Sequence, residues 1–158
     1  MTEMADEAMA YWLMKSEPDA WSWEQQVKRG AKGEPWSGVR NHTAKLNLMK
    51  MKKGDRAFFY HSNVGKEIVG IVEIIREHFP DATAEPGSPW VVVQVKAVAP
   101  LPQPVTLAAV KAEPRLKDMA LLKYSRLSVQ PVTAAEWRLV CGMGGGARIS
   151  LKSLGIRQ

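Results

Sequence analysis

Three strand-like runs follow one another in the middle of this chain with no helix between them. They are Arg56–His61 (RAFFYH), Ile68–Ile75 (IVGIVEII) and Trp90–Val98 (WVVVQVKAV). The first two are joined only by the turn Ser62–Lys66. The second and third are joined by a Pro/Gly-rich connection from Phe79 to Pro89. A parallel neighbour needs a long crossover, usually a helix, whereas antiparallel strands close through short turns. The pattern therefore excludes a doubly wound parallel sheet. It predicts an α+β fold: a small, mixed or mostly antiparallel, curved or barrel-like sheet flanked by short helices.

The remaining elements follow from local signals. Tyr11–Lys15 is a short apolar strand ending in the turn cluster Ser16-Glu17-Pro18-Asp19. Ser22 and Gln25 fit a capping box, giving a helix from Trp23 to Arg29 with Gly30 as its stop. Asn41–Lys53 forms a second helix on the spacing of Leu46, Met49 and Lys53, closed by Gly54-Asp55. The motif PLPQP, Pro100–Pro104, ends the third central strand, and Thr106 caps a helix through Ala112. Lys117–Tyr124 is a helical turn. Arg126–Val129 is a strand ended by Gln130-Pro131, and Thr133 with Glu136 opens a last capped helix carrying Trp137 and Val140. Residues 1–9 read as a disordered start, 10–141 as one domain, and 142–158 as a mobile, Gly-rich basic tail.

At 158 residues and 46% hydrophobic content, the chain is long enough for one domain with a sizeable core. No apolar run approaches the ~20 residues of a membrane span. The acidic start MTEMADEAMAYW lacks a secretory layout, and the single cysteine, Cys141, rules out an internal disulfide. Both point to a reducing, cytoplasmic setting. The net charge is +6, and it is clustered: Arg40, Lys45, Lys50, Lys52, Lys53 and Arg56 stand against Asp55 alone. Clustered positive charge fits a polyanionic partner.

Familiar catalytic signatures are missing. There is no dinucleotide or phosphate-loop glycine motif. His42, His61 and His78 are nineteen and seventeen residues apart, which is not a metal-ligand spacing, so no metal and no cofactor are expected. Cys141, beside apolar residues at a helix end, reads as a small buried hydrophobe. The unusual feature is tryptophan, at positions 12, 21, 23, 36, 90 and 137. Trp12, Trp23, Trp90 and Trp137 read as core, and Trp21 is open. Trp36 lies in GEPWSGVRN, between Pro35 and Ser37-Gly38, and reads as an exposed loop indole available for stacking; anchoring the loop is the alternative.

Several segments converge on one resemblance: YWLMKSEPDAWSW, PWSGVRNHTAKLNLMKMKKGD, AFFYHSN followed by IVGIVEI, and RLSVQPVTAAEW. In order and spacing they are similar to the EVE domain family, over about Tyr11 to Val140. The resemblance implies a PUA-like fold related to the YTH domain. It also implies a non-catalytic reader that holds a modified base of DNA or RNA in an aromatic pocket. Carried over by position, the base pocket would comprise Lys15 and Ser16, then Trp36, then Val39, Arg40 and Asn41 after Gly38. Tyr60, His61, Ser62 and Asn63 would complete its rim, with Arg126 and Ser128 near the same cleft. Trp21 departs from the Tyr or Phe of many relatives. Lys45, Lys50, Lys52 and Lys53 would meet phosphates. The implied partner is nucleic acid, bound by a monomer away from any membrane. Two rival readings stay open: a metal-independent ribonuclease of the ASCH type using Lys15, Glu17 or His61, and a protein-interaction module with an unused pocket.

Overall fold

Successive side chains of a strand point to opposite faces of its sheet, and in β3 (Arg56–His61) both faces are covered. Phe58 stacks on Trp137 with ring centroids 4.0 Å apart. Phe59, its neighbour, meets Trp23 and Trp36 edge-on at 5.4 Å each. Burial on both sides explains why AFFY and IVGIVEII are runs of apolar residues rather than alternations.

A computed structural model of the chain describes residues 9–146. Six strands form one mixed sheet: β1 (Tyr11–Ser16), β2 (Glu34–Pro35), β3, β4 (Glu67–Pro80), β5 (Val91–Thr106) and β6 (Val129–Val132), in the order β2-β5-β4-β3-β1-β6. β1 and β3 are parallel, and every other pairing is antiparallel. The parallel pair is joined by a long crossover that holds two helices, α1 (Trp23–Lys28) and α2 (His42–Lys50). These pack on one face, over Trp12, Met14, Phe59, Val72, Ile74 and Val95. The helices α3 (Leu107–Ala112), α4 (Ala120–Lys123) and α5 (Ala134–Met143) cover the other face, over Leu13, Phe58, Ile68 and Ile71. Both expected capping boxes form, at Ser22/Gln25 and Thr133/Glu136. Gly70 lacks a Cβ because one would stand 2.5 Å from the Trp23 ring.

Proline misled the strand boundaries. β5 runs on through Pro100, Pro102 and Pro104 to Thr106 instead of ending at Val98. Gly70 pairs with Pro100 and Ile68 with Val105, so the prolines fall in a bulge where the ladder needs fewer donors. Register shifts of this kind bend the sheet. β4 likewise continues to Pro80, shortening the expected connection. Pro131 sits inside β6 opposite Trp12, tolerated because β6 is an edge strand.

Three other expectations change. α2 ends at Lys50 and buries Ala44, Asn47 and Leu48, leaving Leu46 and Met49 on the solvent side at 50% and 40% exposure. Asn47 is a core-facing residue because its amide donates to the Val129 carbonyl at 2.8 Å. Trp90 precedes β5 and is half-buried, with His42 at 4.8 Å and the Arg40 guanidinium 5.8 Å from its ring. Trp12, Trp23 and Trp137 are core as expected. Gly142 and Met143 complete α5, and the Gln103 amide donates to the Gly144 carbonyl at 3.1 Å, so the segment 142–146 is packed rather than a free tail. Residues 1–8 and 147–158 lie outside the described residues. Cys141 is buried, and burial pushes its thiol up to about 12.

Candidate functional site

The end of β1 and the start of α1 make one wall of a cleft. The Ser62 amide donates to the Ser16 carbonyl at 2.9 Å, fixing the strand end beside β3. The chain then turns: the Ala20 and Trp21 amides both donate to the Glu17 carbonyl at 2.9 Å. The Ser16 hydroxyl donates to the Trp21 carbonyl at 2.5 Å and closes the turn. Trp21 is fixed from its other end, where its indole N–H donates to Gln26 Oε1 at 2.9 Å. Gln26 is fully buried and donates in turn to the Val95 carbonyl at 3.1 Å. A buried glutamine thus positions a half-buried tryptophan.

The opposite wall is the segment from Gly33 to Gly38. Gly33 has φ of 72°, and a Cβ there would stand 2.3 Å from the Val95 carbonyl oxygen, so only glycine lets the chain pass. The Trp36 amide then donates to the Val93 carbonyl at 2.8 Å. Gly38, at φ 87°, donates its amide to Asp81 Oδ2 at 3.0 Å. Between the walls lies a cavity of about 360 Å³, lined by Lys15, Ser16, Glu17, Trp21, Trp36 and their neighbours up to Gly38. Its volume falls in the range of small-ligand sites, roughly 300–1,000 Å³.

Trp36 corrects the reading of an exposed loop indole. It is 6% exposed and packs edge-on against Phe59, so it anchors the loop while also lining the cavity. The structure thus has the alternative, anchoring, because a loop residue can be driven inward by a sheet that is apolar on both faces. Trp21, left open by the sequence, lines the same cavity. Its local signal was the helix start behind it, which faces Gln26 inward.

The other expected site residues disperse. Val39 is buried in the core. Tyr60 is buried on the α5 side of the sheet, one residue out of phase with Phe59, and desolvation raises its pKa. Asn41 is the N-cap of α2, accepting the Ala44 amide at 2.9 Å. Asn41 and Arg126 line a second, more open cavity of about 670 Å³ with Thr43, Tyr124 and Ser125. Ser128 contributes its carbonyl, which accepts the Lys15 amide at 2.9 Å. Lys15 bridges the two cavities: it lines the first, and its ammonium donates to the Ser125 carbonyl at 2.7 Å. Burial lowers its pKa. Asn63 donates its side-chain amide to the Glu17 carboxylate across the mouth of the β3–β4 hairpin. Lys50, Lys52 and Lys53 are exposed and Lys45 is half-buried.

His61 is committed to the scaffold. Its Nε2 accepts the Trp23 amide at 3.1 Å, which requires that nitrogen to be unprotonated. Burial lowers its pKa, against an opposing pull from Glu24 and Glu67. Arg40 bonds Asp81 at 3.0 Å and the Val39 carbonyl at 3.0 Å. Burial pushes the Asp81 carboxyl up, but the Thr83 hydroxyl, the Gly38 and Thr83 amides and the Arg40 guanidinium outweigh it and hold it at about 2. Among the described residues no three His, Cys, Asp or Glu side chains are grouped to hold a metal ion, and no helix is long and apolar enough to cross a membrane.

This architecture has solved counterparts. A Rhodopseudomonas palustris protein is 67% identical, with a TM-score of 0.84, over 89% of this chain and 97% of that one. The human THYN1 protein, solved in complex with 5-methylcytosine-containing DNA, is 32% identical with a TM-score of 0.80, over 85% of this chain and 97% of that one. The Zygosaccharomyces rouxii MRB1 YTH domain, solved with N6-methyladenosine RNA, is 17% identical with a TM-score of 0.53, over 87% and 88% of the two chains, a likeness of fold alone. The model of the EVE domain matches residues 10–143, and the chain belongs to the EVE domain family.

Proposed function

We propose that this protein is a non-catalytic reader of nucleic acid that takes a modified base into the cavity between the β1 end and the Gly33–Gly38 segment. The observation that carries this reading is the composition of that cavity: two anchored indoles, Trp21 and Trp36, with Lys15, Ser16 and Glu17 beside them. Aromatic surfaces stack on a base, at ~1–3 kcal/mol each, and polar groups read its edge. The Trp21 indole is held by its hydrogen bond to the buried Gln26, and Trp36 by its backbone amide on Val93 and its ring on Phe59, so little freedom is lost on binding. The complex of the human relative with methylated DNA supports the same class of ligand. The base would be unstacked from its strand, at least cost in single-stranded or mismatched sites. The exposed lysines of α2 and the segment after it would meet the phosphates.

Catalysis is disfavoured by His61, the first candidate for a general base, because its Nε2 already accepts a backbone amide. The test is titration of matched oligonucleotides with one central cytosine or 5-methylcytosine, single-stranded and duplex, with gel analysis of the bound strand. The expected result is tighter binding of the methylated strand, lost in Trp21→Ala, with the strand intact. Equal affinity for both, unchanged by Trp21→Ala, would overturn the reading; cleavage by the pure protein would turn it towards an enzyme.

A further inference from the structure

The polar groups of the cavity are not equivalent. The Ser16 hydroxyl is used by the Trp21 carbonyl. Glu34 is paired with Arg29 at 3.0 Å. The Lys15 ammonium spends one hydrogen on the Ser125 carbonyl and keeps two. Glu17 differs again. Its Oε1 accepts the Asn63 amide, and Oε2 has no protein partner among the described residues. The carboxylate is thus held in place by a neighbouring hairpin, with one oxygen uncommitted at the cavity. Lys15 also contributes to the lining, but its ammonium is turned to the Ser125 carbonyl of the second cavity and lies 5.9 Å from the Tyr60 ring.

We infer that Glu17 is the specificity-determining residue of this cavity and that, among pyrimidines, it favours a 4-amino base of the cytosine type over a 4-oxo base of the thymine or uracil type. The inference rests on the proposed capture of a base in this cavity. A carboxylate only accepts hydrogen bonds, and the exocyclic amino group of cytosine is a donor at the ring periphery that Asp and Glu side chains recognise. The adjacent ring nitrogen and O2 of cytosine are acceptors, which leaves the amino group as the one a carboxylate can engage. Thymine and uracil put a carbonyl oxygen where cytosine has the amino group. Their one ring N–H lies between two carbonyl oxygens whose lone pairs face an approaching carboxylate. The C5 substituent plays no part in this discrimination, so it is separable from recognition of a methyl group.

The test uses 5-methylcytosine and thymine, which share the C5 methyl and differ at the C4 substituent and N3 protonation. Each is placed at the centre of the same single-stranded oligonucleotide and titrated against the full chain and against Glu17→Gln. Glutamine keeps the length of the side chain and can turn either an oxygen or an NH₂ towards the base. The expected outcome is at least about a tenfold preference of the wild type for 5-methylcytosine, reduced to within about threefold in Glu17→Gln by weaker binding of 5-methylcytosine. Thermal melting should match the wild type, because Glu17 is exposed. Equal wild-type affinity for the two strands, or a preference that Glu17→Gln retains, overturns the assignment of Glu17. Those results leave base capture standing if Trp21→Ala still weakens binding; if Trp21→Ala has no effect on either strand, base capture falls as well.

Discussion

The carboxylate of Asp81 accepts the backbone amide of Gly38 at 3.0 Å, although the two residues are forty-three positions apart. The same oxygen receives the Arg40 guanidinium at 3.0 Å, and the other accepts the Thr83 amide and hydroxyl. A buried acid from the β4–β5 connection therefore ties down the segment that carries Trp36. Replacing Asp81 by Ala should cost about 1–3 kcal/mol, since four hydrogen bonds to one charged acceptor are lost from partly buried donors. Base binding should weaken with it. The carboxyl sits at about 2, below the ~3.9 of an unfolded aspartate. Its contribution is full above about pH 4 and is lost as pH falls towards 2. Denaturant titrations of wild type and Asp81→Asn across that window should show the difference between them shrinking.

Trp36 and Trp21 should separate under mutation. Trp36 is 6% exposed against Phe59, so Trp36→Ala opens a core cavity and should cost about 3–5 kcal/mol of stability. Trp21 is only half-buried, so Trp21→Ala should lose ~1–3 kcal/mol of base binding with a smaller change in melting temperature. Calorimetric melting beside oligonucleotide titration distinguishes the two outcomes.

His61 makes stability depend on mild acid. Its folded pKa is lowered by burial, below the ~6.5 of the free side chain. Protonation then favours the unfolded chain, so the stability it provides is full above about pH 6.5 and declines as pH falls through that value. The imidazolium would also surrender its bond to the Trp23 amide. His61→Ala should be less stable than wild type at pH 8, and the gap should narrow by pH 5. A constant gap would mean that the imidazole does not titrate in this range.

The lysines after α2 should act on phosphates. Lys52→Gln with Lys53→Gln should weaken modified and unmodified oligonucleotides by similar factors. The slope of log affinity against log salt should become shallower by up to about 1–2. Unchanged affinity and slope would leave this face merely solvated.

What the sequence determined by itself was local or distributed over many residues. Ser22/Gln25 and Thr133/Glu136 set two helix starts because a capping box satisfies its own amides within four residues. The helix-free run of three strands set the antiparallel centre of the sheet, since short connections permit nothing else. The segments around Lys15-Ser16 and Trp36 identified the family and brought together Lys15, Ser16 and Trp36 at one cavity. What the sequence could not determine depended on distant partners. Pro100, Pro102 and Pro104 look like a strand end until Gly70 and Ile68 place them in a bulge. Nothing local marks Asn47 as the donor to the Val129 carbonyl, and Trp90 looks like core until His42 and Arg40 prove to be its neighbours. Whether Trp36 was exposed was settled by Phe59, a residue on another strand. The hold of Val95 on Gln26 and of Asp81 on Gly38 likewise arises only when β4 and β5 are in place. Hydrogen bonds and ring contacts of this kind fix a side chain through geometry across the chain, and no local spacing encodes them.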